Sequence, residues 1–189
     1  MRGYQREELL ASSTTYSNSF FGKTEAISHN GMVATKDKLA TEAGLEILRM
    51  GGNAVDAGVA SCLAVGVVEP ESSGIGGGGY MVFQMRDEGG VIGFPMKGPI
   101  EGSPDMYSLS GEPSVGSFGW AGVLNDENIH GYRSIAVPGC VAGLAEAHKR
   151  FGNLPWSEVV APAANIARNG FSPEWFTLYK FGGLSQMLL

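Results

Sequence analysis

The chain has 189 residues, which is enough for one domain with a hydrophobic core. Its formal net charge is −6, and its 13 Lys and Arg residues form no basic cluster, so no nucleic-acid partner is expected. No uncharged apolar stretch reaches the roughly 18 residues of a membrane-spanning helix, so no membrane partner is expected either.

The first 30 residues are polar and aperiodic, and they predict an N-terminal arm. Residues 31–189 form the predicted domain, with no linker that divides it. The start of the chain lacks the apolar segment of a secretory signal. This favours a cytoplasmic location, although a processed periplasmic or secreted protein would look the same, so the location stays open.

Two helices are predicted in the first third of the domain. After a short strand at 31–35, apolar residues recur at helical spacing over 39–50, with Asp37 as the cap. A second helix is predicted from Ala54 to about Val67, with Asn53 at its N-cap. This helix is apolar on all sides, which predicts that it is buried.

A β-hairpin is predicted after a glycine-rich loop. Residues 80–85 have the pattern of a strand, residues 87–90 of a turn, and the returning strand starts at 91. Residues 95–133 predict a long loop.

The last part of the chain predicts a strand and two helices. A short strand is expected at 134–137, followed by a helix from Pro138 to about Arg150. The next helix starts near Pro155 and ends at Gly170, and we expect Pro162 to kink or split it.

The glycine run matches a nucleotide-binding motif in sequence but not in the order of the flanking elements. Gly74, Gly76 and Gly79 satisfy G-x-G-x-x-G, but a helix precedes them and a strand follows, which is the reverse of the dinucleotide-binding order. No nucleotide or other cofactor is therefore predicted. The run Gly76, Gly77, Gly78 and Gly79 permits close backbone approach, either to a ligand or to other parts of the chain.

The cysteines and histidines do not suggest a metal site. Cys62 and Cys140 both lie in helical patterns and are interpreted as small buried hydrophobic residues. The three histidines have no metal-ligand spacing to each other or to cysteine. No metal is predicted.

Four segments resemble the γ-glutamyltransferase family, in the same order and at similar spacing. Strings of this length are far more specific than a short motif. The segments are residues 31–34 with 39–48, residues 51–57, residues 69–81, and residues 137–144 with 151–156.

The resemblance implies a fold and a chemistry. It implies an α+β chain that forms part of the αββα sandwich of N-terminal-nucleophile hydrolases, with helices and an incomplete antiparallel sheet. In such enzymes the precursor cuts itself into a large and a small subunit. The N-terminal Thr of the small subunit then attacks the γ-glutamyl amide, and its α-amine serves as the base.

Those catalytic groups are expected outside this chain. The family's nucleophile lies much further along, so no catalytic residue is predicted here and the chain alone is expected to be inactive. Thr35, Thr41 and Thr177 lack the cleavage-site context and are interpreted as surface or capping residues.

One family substrate site does fall within the chain, and it is altered. Family members carry an Arg-Glu-x-Ala-Pro string after the hairpin, whose Arg grips the substrate's α-carboxylate. Here Pro95 stands at the Arg position and Met96 at the Glu position. Lys97 would face the same side as Pro95 in an extended segment and is the candidate replacement. Arg133 is a weaker candidate, and both can also be plain solvated cations.

Three functions follow from this sequence. The first is the N-terminal part of the large subunit of an enzyme that hydrolyses or transfers γ-glutamyl groups from amides such as glutathione. The second is an amidohydrolase of the same fold with another amide substrate. The third is a non-catalytic scaffold or interaction protein. In the first two, the partners are a small-molecule amide, the remainder of the large subunit and the small subunit. Open strand edges also predict self-association.

Overall fold

The structure is a computed structural model that describes residues 25–113 and 119–188, with side chains described as far as residue 183. Its contacts divide the chain into Met1–Met32 and Val33–Leu189. In the first unit, residues 25–32 contain no helix or strand. The rest of the predicted N-terminal arm lies outside the described residues.

The second unit begins with two helices, α1 (Lys38–Arg49) and α2 (Ala54–Val68). Both predicted caps are confirmed. The Asp37 carboxylate accepts the backbone N–H groups of Leu39 at 2.7 Å and Ala40 at 3.3 Å. Asn53 and Asp56 form a reciprocal capping box at the start of α2. Gly51, at φ +92°, makes the left-handed turn between the helices.

The hairpin consists of β1 (Gly79–Met85) and β2 (Glu88–Phe94), paired antiparallel from Gly79 opposite Phe94 to Met85 opposite Glu88. The turn is Arg86–Asp87, so the prediction of a turn over 87–90 is wrong by two residues. Gly89 and Gly90 belong to β2, where they pair with Gln84 and Phe83 of β1. The side chains of these two partners lie across the glycines.

Residues 95–133 are not the plain loop that was predicted. They contain a second antiparallel pair, β3 (Leu109–Pro113) and β4 (Ala121–Val123), and two short 3-10 turns, Leu124–Asp126 and Tyr132–Ser134. Neither strand has the alternating apolar pattern that would reveal it in the sequence.

Three helices complete the unit: α3 (Cys140–Phe151), α4 (Trp156–Asn169) and α5 (Trp175–Leu188). The first two match the predicted helices closely. Pro162 lies inside α4, so the helix is not split there.

The two short predicted strands are not found. Residues 31–35 are not in a strand. The Thr35 N–H instead donates to the Thr41 hydroxyl at 3.2 Å. In 134–137, only Val137 makes a bridge, to Lys97. A strand needs a neighbour that accepts and donates along its length, and neither segment has one among the described residues.

The core lies between the helices and the inner face of the hairpin. Ile47, Val59, Leu144 and Val159 are fully buried where α1, α2, α3 and α4 meet, and Ile92 joins them from β2. The opposite face of the hairpin is open, with Tyr80, Val82 and Val91 exposed by 70%, 80% and 61%. The described residues therefore cover the hairpin on one side.

No helix within the described ranges combines the length and the hydrophobicity needed to cross a bilayer.

The prediction that α2 and both cysteines are buried is partly wrong. One stripe of α2, Ala54, Gly58 and Cys62, is exposed, and Cys140 is half-buried. The stripe is exposed because α1, α3 and α4 pack on the other sides of the helix.

Candidate functional site

The chain leaves the hairpin between two clefts. After β2 ends at Phe94, the next side chains alternate: Pro95 and Lys97 line one cleft, and Met96 lines the other. We name these the lysine cleft and the glycine cleft. The side-by-side placement of Pro95 and Lys97 is the geometry that an extended segment predicts.

The lysine cleft has a volume of about 360 Å³ and lies between the end of β2 and the first half of α3. Lys97 is fixed by its backbone, because its N–H donates to the Val137 carbonyl at 3.1 Å and its own carbonyl accepts from the Val137 N–H at 2.8 Å. The lining residues are Ile92, Gly93, Phe94, Pro95, Lys97, Val137, Pro138, Gly139, Ala142, Gly143 and Glu146.

The charge of the lysine cleft comes from one ammonium group and one carboxylate. Lys97 is exposed, and within the described ranges it forms no ion pair. Glu146 lines the same cleft from α3. A lysine acts on an anion as a point charge, without the two parallel hydrogen bonds that a guanidinium offers a carboxylate. The cleft can therefore attract a carboxylate but does not fix its orientation through Lys97 alone.

The glycine cleft has a volume of about 630 Å³ and lies on the other side of the same segment. It is lined by Cys62, Gly66, Pro70, residues 72–80, Phe94, Met96 and Cys140.

The glycines of this cleft have different neighbours. A Cβ at Gly78 would lie 2.6 Å from both the Met96 nitrogen and the Phe94 oxygen, so that glycine allows two backbone segments to touch. The Gly77 carbonyl accepts the N–H groups of Gly139 and Cys140, each at 3.0 Å. Gly76 has nothing within 4 Å of its Cβ position. The close approach at Gly78 is therefore to the chain's own backbone, while the space beside Gly76 is open.

Both cysteines line the glycine cleft, one from α2 and one from the start of α3. Burial raises the pKa of the Cys62 thiol, and the neighbouring Cys140 raises it further. Burial also raises the pKa of Cys140. The residue Cys62 is exposed, but it lines a concave cleft. Partial burial of its thiol there disfavours the charged thiolate. Sequence reasoning placed both cysteines in the core and missed this pair.

Arg133 lines neither cleft. Its guanidinium forms an ion pair with Glu127 and lies over the Tyr107 ring at 5.5 Å, and its carbonyl accepts the Tyr107 hydroxyl. These contacts tie together two ends of the segment after the hairpin. The structure does not bring Arg133 and Lys97 into one site.

An interior network joins two of the segments that carry the family resemblance. The Asp56 carboxylate is fully buried, and it accepts the Asn53 N–H at 2.9 Å and the Asn153 N–H at 2.9 and 3.1 Å. The Asn53 amide donates to the Phe151 carbonyl at 2.6 Å. His148 Nε2 lies 2.8 Å from the Leu154 carbonyl. This network, which we call the junction, attaches the end of α3 to the start of α2. These two segments therefore serve the fold.

The threonines are held by local contacts. Thr35 and Thr41 share a hydrogen bond of 2.7 Å between their hydroxyls. Thr177 was predicted to be a surface or capping residue, but it is buried, and its hydroxyl donates to Glu71 at 3.2 Å. Packing of α5 near Glu71 explains the difference. Within the part of the chain that the structure describes, no group of three or more His, Cys, Asp and Glu side chains is placed to hold a metal ion.

Comparison with known proteins identifies relatives of this fold. The sequence profile of the gamma-glutamyltranspeptidase family matches residues 40–176. The chain is 42% identical to glutathione hydrolase 3 of Arabidopsis thaliana over 146 residues, which are 76% of this chain and 21% of that protein. It is 41% identical to the acylase ACY 1 proenzyme of Pseudomonas sp. strain V22, covering 79% of this chain and 26% of that protein.

The fold agrees with these matches. The solved gamma-glutamyltranspeptidase of Pseudomonas nitroreducens, complexed with L-DON, superposes with a TM-score of 0.71 at 33% identity. The match covers 85% of this chain and 45% of that chain. The predicted α+β part of an N-terminal-nucleophile hydrolase sandwich is confirmed. The chain spans about a quarter of the length of the curated relatives, and it belongs to the gamma-glutamyltranspeptidase family.

Proposed function

We propose that this chain is the N-terminal part of the large subunit of an enzyme that hydrolyses γ-glutamyl or related amides, or transfers their acyl group. The observation that carries the proposal is the profile match over residues 40–176. The matched range includes Asp56 and Asn153, which meet in the interior network described above. The nucleophilic Thr, the oxyanion donors and the remaining sheet lie in the rest of the protein.

The open face of the hairpin supports a larger assembly. Tyr80, Val82 and Val91 present an apolar surface that no described residue covers. Two-stranded sheets are marginal on their own and gain stability from further strands or a second layer. We propose that the remainder of the large subunit or the small subunit covers this face. Self-association of the isolated chain stays a prediction on the same grounds.

We propose that Lys97 attracts the anionic end of the substrate from the lysine cleft. It shares that cleft with Pro95, the residue that the sequence resemblance places at the family's carboxylate-binding Arg. One ammonium group in place of a guanidinium gives weaker and less directional recognition. Arg133 is not included, since its guanidinium is already paired with Glu127.

A second candidate function is the hydrolysis of a non-γ-glutamyl amide. Pro95 has neither charge nor donor, so strict selection for an α-carboxylate is not built into this segment. The similarity to the acylase ACY 1 proenzyme supports this alternative.

The test uses the complete protein that contains this chain. Mass spectrometry of the purified protein is expected to show two polypeptides, the second of which begins with Thr. The rate of aniline release is then compared for three anilide substrates. Their acyl groups are γ-glutamyl, the same group without its α-carboxylate (4-aminobutanoyl), and the same group without its α-amine (glutaryl).

Each result has a distinct meaning. Preference for the γ-glutamyl anilide supports the first function, and preference for glutaryl or another acyl group supports the second. An intact single polypeptide without amidase activity would contradict both functions and leave the non-catalytic scaffold.

A further inference from the structure

The two cysteines of the chain converge on one cleft, although they are far apart in sequence. Cys62 belongs to the exposed stripe of α2, and Cys140 is the first residue of α3. Both line the glycine cleft, and both are free thiols. The chain has no other cysteine, so any pairing within it joins these two.

Burial raises the pKa of the Cys62 thiol, and a negative Cys140 raises it further. A charge acts more strongly at short distance, so this effect agrees with two cysteines that line one cleft. The helices α2 and α3 that carry them also pack against each other.

We propose that Cys62 and Cys140 form a dithiol site in the glycine cleft that closes to an intramolecular disulfide on reaction with a small-molecule disulfide. This site is independent of the amide chemistry proposed above, and no part of that chemistry uses either thiol.

The reaction is two successive thiol–disulfide exchanges. One of the two cysteines, as thiolate, attacks one sulfur of the small disulfide, which forms a mixed disulfide and releases the first small thiol. The other cysteine, as thiolate, then attacks the protein sulfur of the mixed disulfide and releases the second small thiol. The protein loses two electrons and two protons, and the small disulfide gains them as two thiols.

The surroundings set the rate and the consequence of closure. Both thiols have raised pKa values, so the thiolate fraction is small near neutral pH and closure accelerates as the pH rises. The Cys140 N–H donates to the Gly77 carbonyl at 3.0 Å, so the new link would join α2 to the helix end that supports the glycine loop. Closure therefore links two helices that both line the glycine cleft.

The test is incubation of the chain with mixtures of oxidised and reduced glutathione, acid quenching, and intact mass spectrometry without reductant. The wild type is expected to lose both thiols without retaining glutathione. Cys140→Ser is expected to retain one glutathione on Cys62. Cys62→Ser is likewise expected to retain one glutathione on Cys140, because no second thiol remains to release it.

The same titration in concentrated urea shows whether the fold creates the pairing. Unfolding separates the thiols, so the wild type is expected to retain at least about tenfold more glutathione at equal reagent ratios. Three results would overturn the proposal: stable glutathione adducts on both cysteines of the folded wild type, disulfide-linked dimers as the main product, or no loss of thiols under oxidising conditions.

Discussion

The junction around Asp56 and the segment that follows the hairpin differ in how their residues are held. At the junction, a buried carboxylate binds backbone groups from two distant parts of the chain, Asn53 and Asn153. After the hairpin, Pro95 and Lys97 are exposed, and the backbone bridge to Val137 holds them in place. Both regions lie within the residues that match the gamma-glutamyltranspeptidase profile.

The difference separates residues that maintain the fold from the residues that we propose select a ligand. Loss of the Asp56 carboxylate leaves part-buried backbone donors without their partner, and this penalty acts on the whole unit. A substitution at an exposed cleft residue changes what the cleft attracts and costs the fold little. Substitutions after the hairpin are therefore expected to leave the junction intact.

The largest expected effect is the loss of the junction. Asp56→Ala removes a fully buried carboxylate that accepts two part-buried backbone N–H groups, and it is expected to lower the free energy of unfolding by about 3–5 kcal/mol. Urea denaturation followed by circular dichroism measures it. Asp105→Ala, at an exposed aspartate, is the matched control and is expected to change stability by less than about 0.5 kcal/mol. Equal effects of the two substitutions would remove the distinction between junction and surface.

The next effect concerns the packing that positions the end of β2. A Cβ at Gly143 would lie 2.0 Å from the Phe94 ring, so Gly143→Ala is expected to cost about 2–3 kcal/mol. Gly58→Ala is its opposite, because nothing lies within 4 Å of that Cβ position in α2. Alanine there favours the helix and is expected to add about 0.5–1 kcal/mol. Thermal unfolding of both variants shows whether each substitution raises or lowers the stability. Destabilisation by Gly58→Ala would show that the exposed stripe of α2 is covered in solution.

Local signals in the sequence predict much of the fold. The caps at Asp37 and Asn53 and the 3.6-residue periodicity place α1 and α2 closely, since a helix is decided within a few turns. The strands β3 and β4 are different. Their residues, Leu-Ser-Gly-Glu-Pro and Ala-Gly-Val, carry no alternation, and their pairing depends on contacts across a loop.

The candidate site is less predictable for a related reason. The shared side of Pro95 and Lys97 follows from local alternation and was predicted. The shared cleft of Cys62 and Cys140, and the contact of Asp56 with Asn153, depend on how elements that are far apart in the sequence pack together. A helix that is apolar on every side also does not reveal which side the chain leaves open, which is why the exposure of Cys62 was missed.

A smaller effect is expected at the lysine cleft, and only for anionic substrates. In the complete enzyme, Lys97→Met is expected to raise KM for the γ-glutamyl anilide by roughly tenfold, as the loss of one charged contact predicts. KM for the 4-aminobutanoyl anilide, which lacks the α-carboxylate, is expected to stay the same. Pro95→Arg is expected to lower KM for the γ-glutamyl anilide, since it returns a guanidinium to the cleft.

The control for this prediction is Lys149→Met, which removes an exposed cation of α3 outside the lysine cleft. Equal increases in KM for both anilides after Lys97→Met would assign the effect to a disturbed backbone bridge with Val137, and Lys97 would then lose its proposed role.

The smallest effect is expected where the segment after the hairpin is tied by its own side chains. Tyr107→Phe removes the hydroxyl that donates to the Arg133 carbonyl but keeps the ring beneath the guanidinium. The bond lies at the surface, so its loss is expected to cost about 0.5–1 kcal/mol locally and to leave global unfolding unchanged. Hydrogen exchange is expected to accelerate within residues 105–113 and 119–135. Tyr132→Phe, at an exposed tyrosine, should not accelerate it. Faster exchange in both variants would mean that this segment opens independently of the Tyr107 contact. The Tyr107 hydrogen bond would then not contribute to the difference between this segment and the junction.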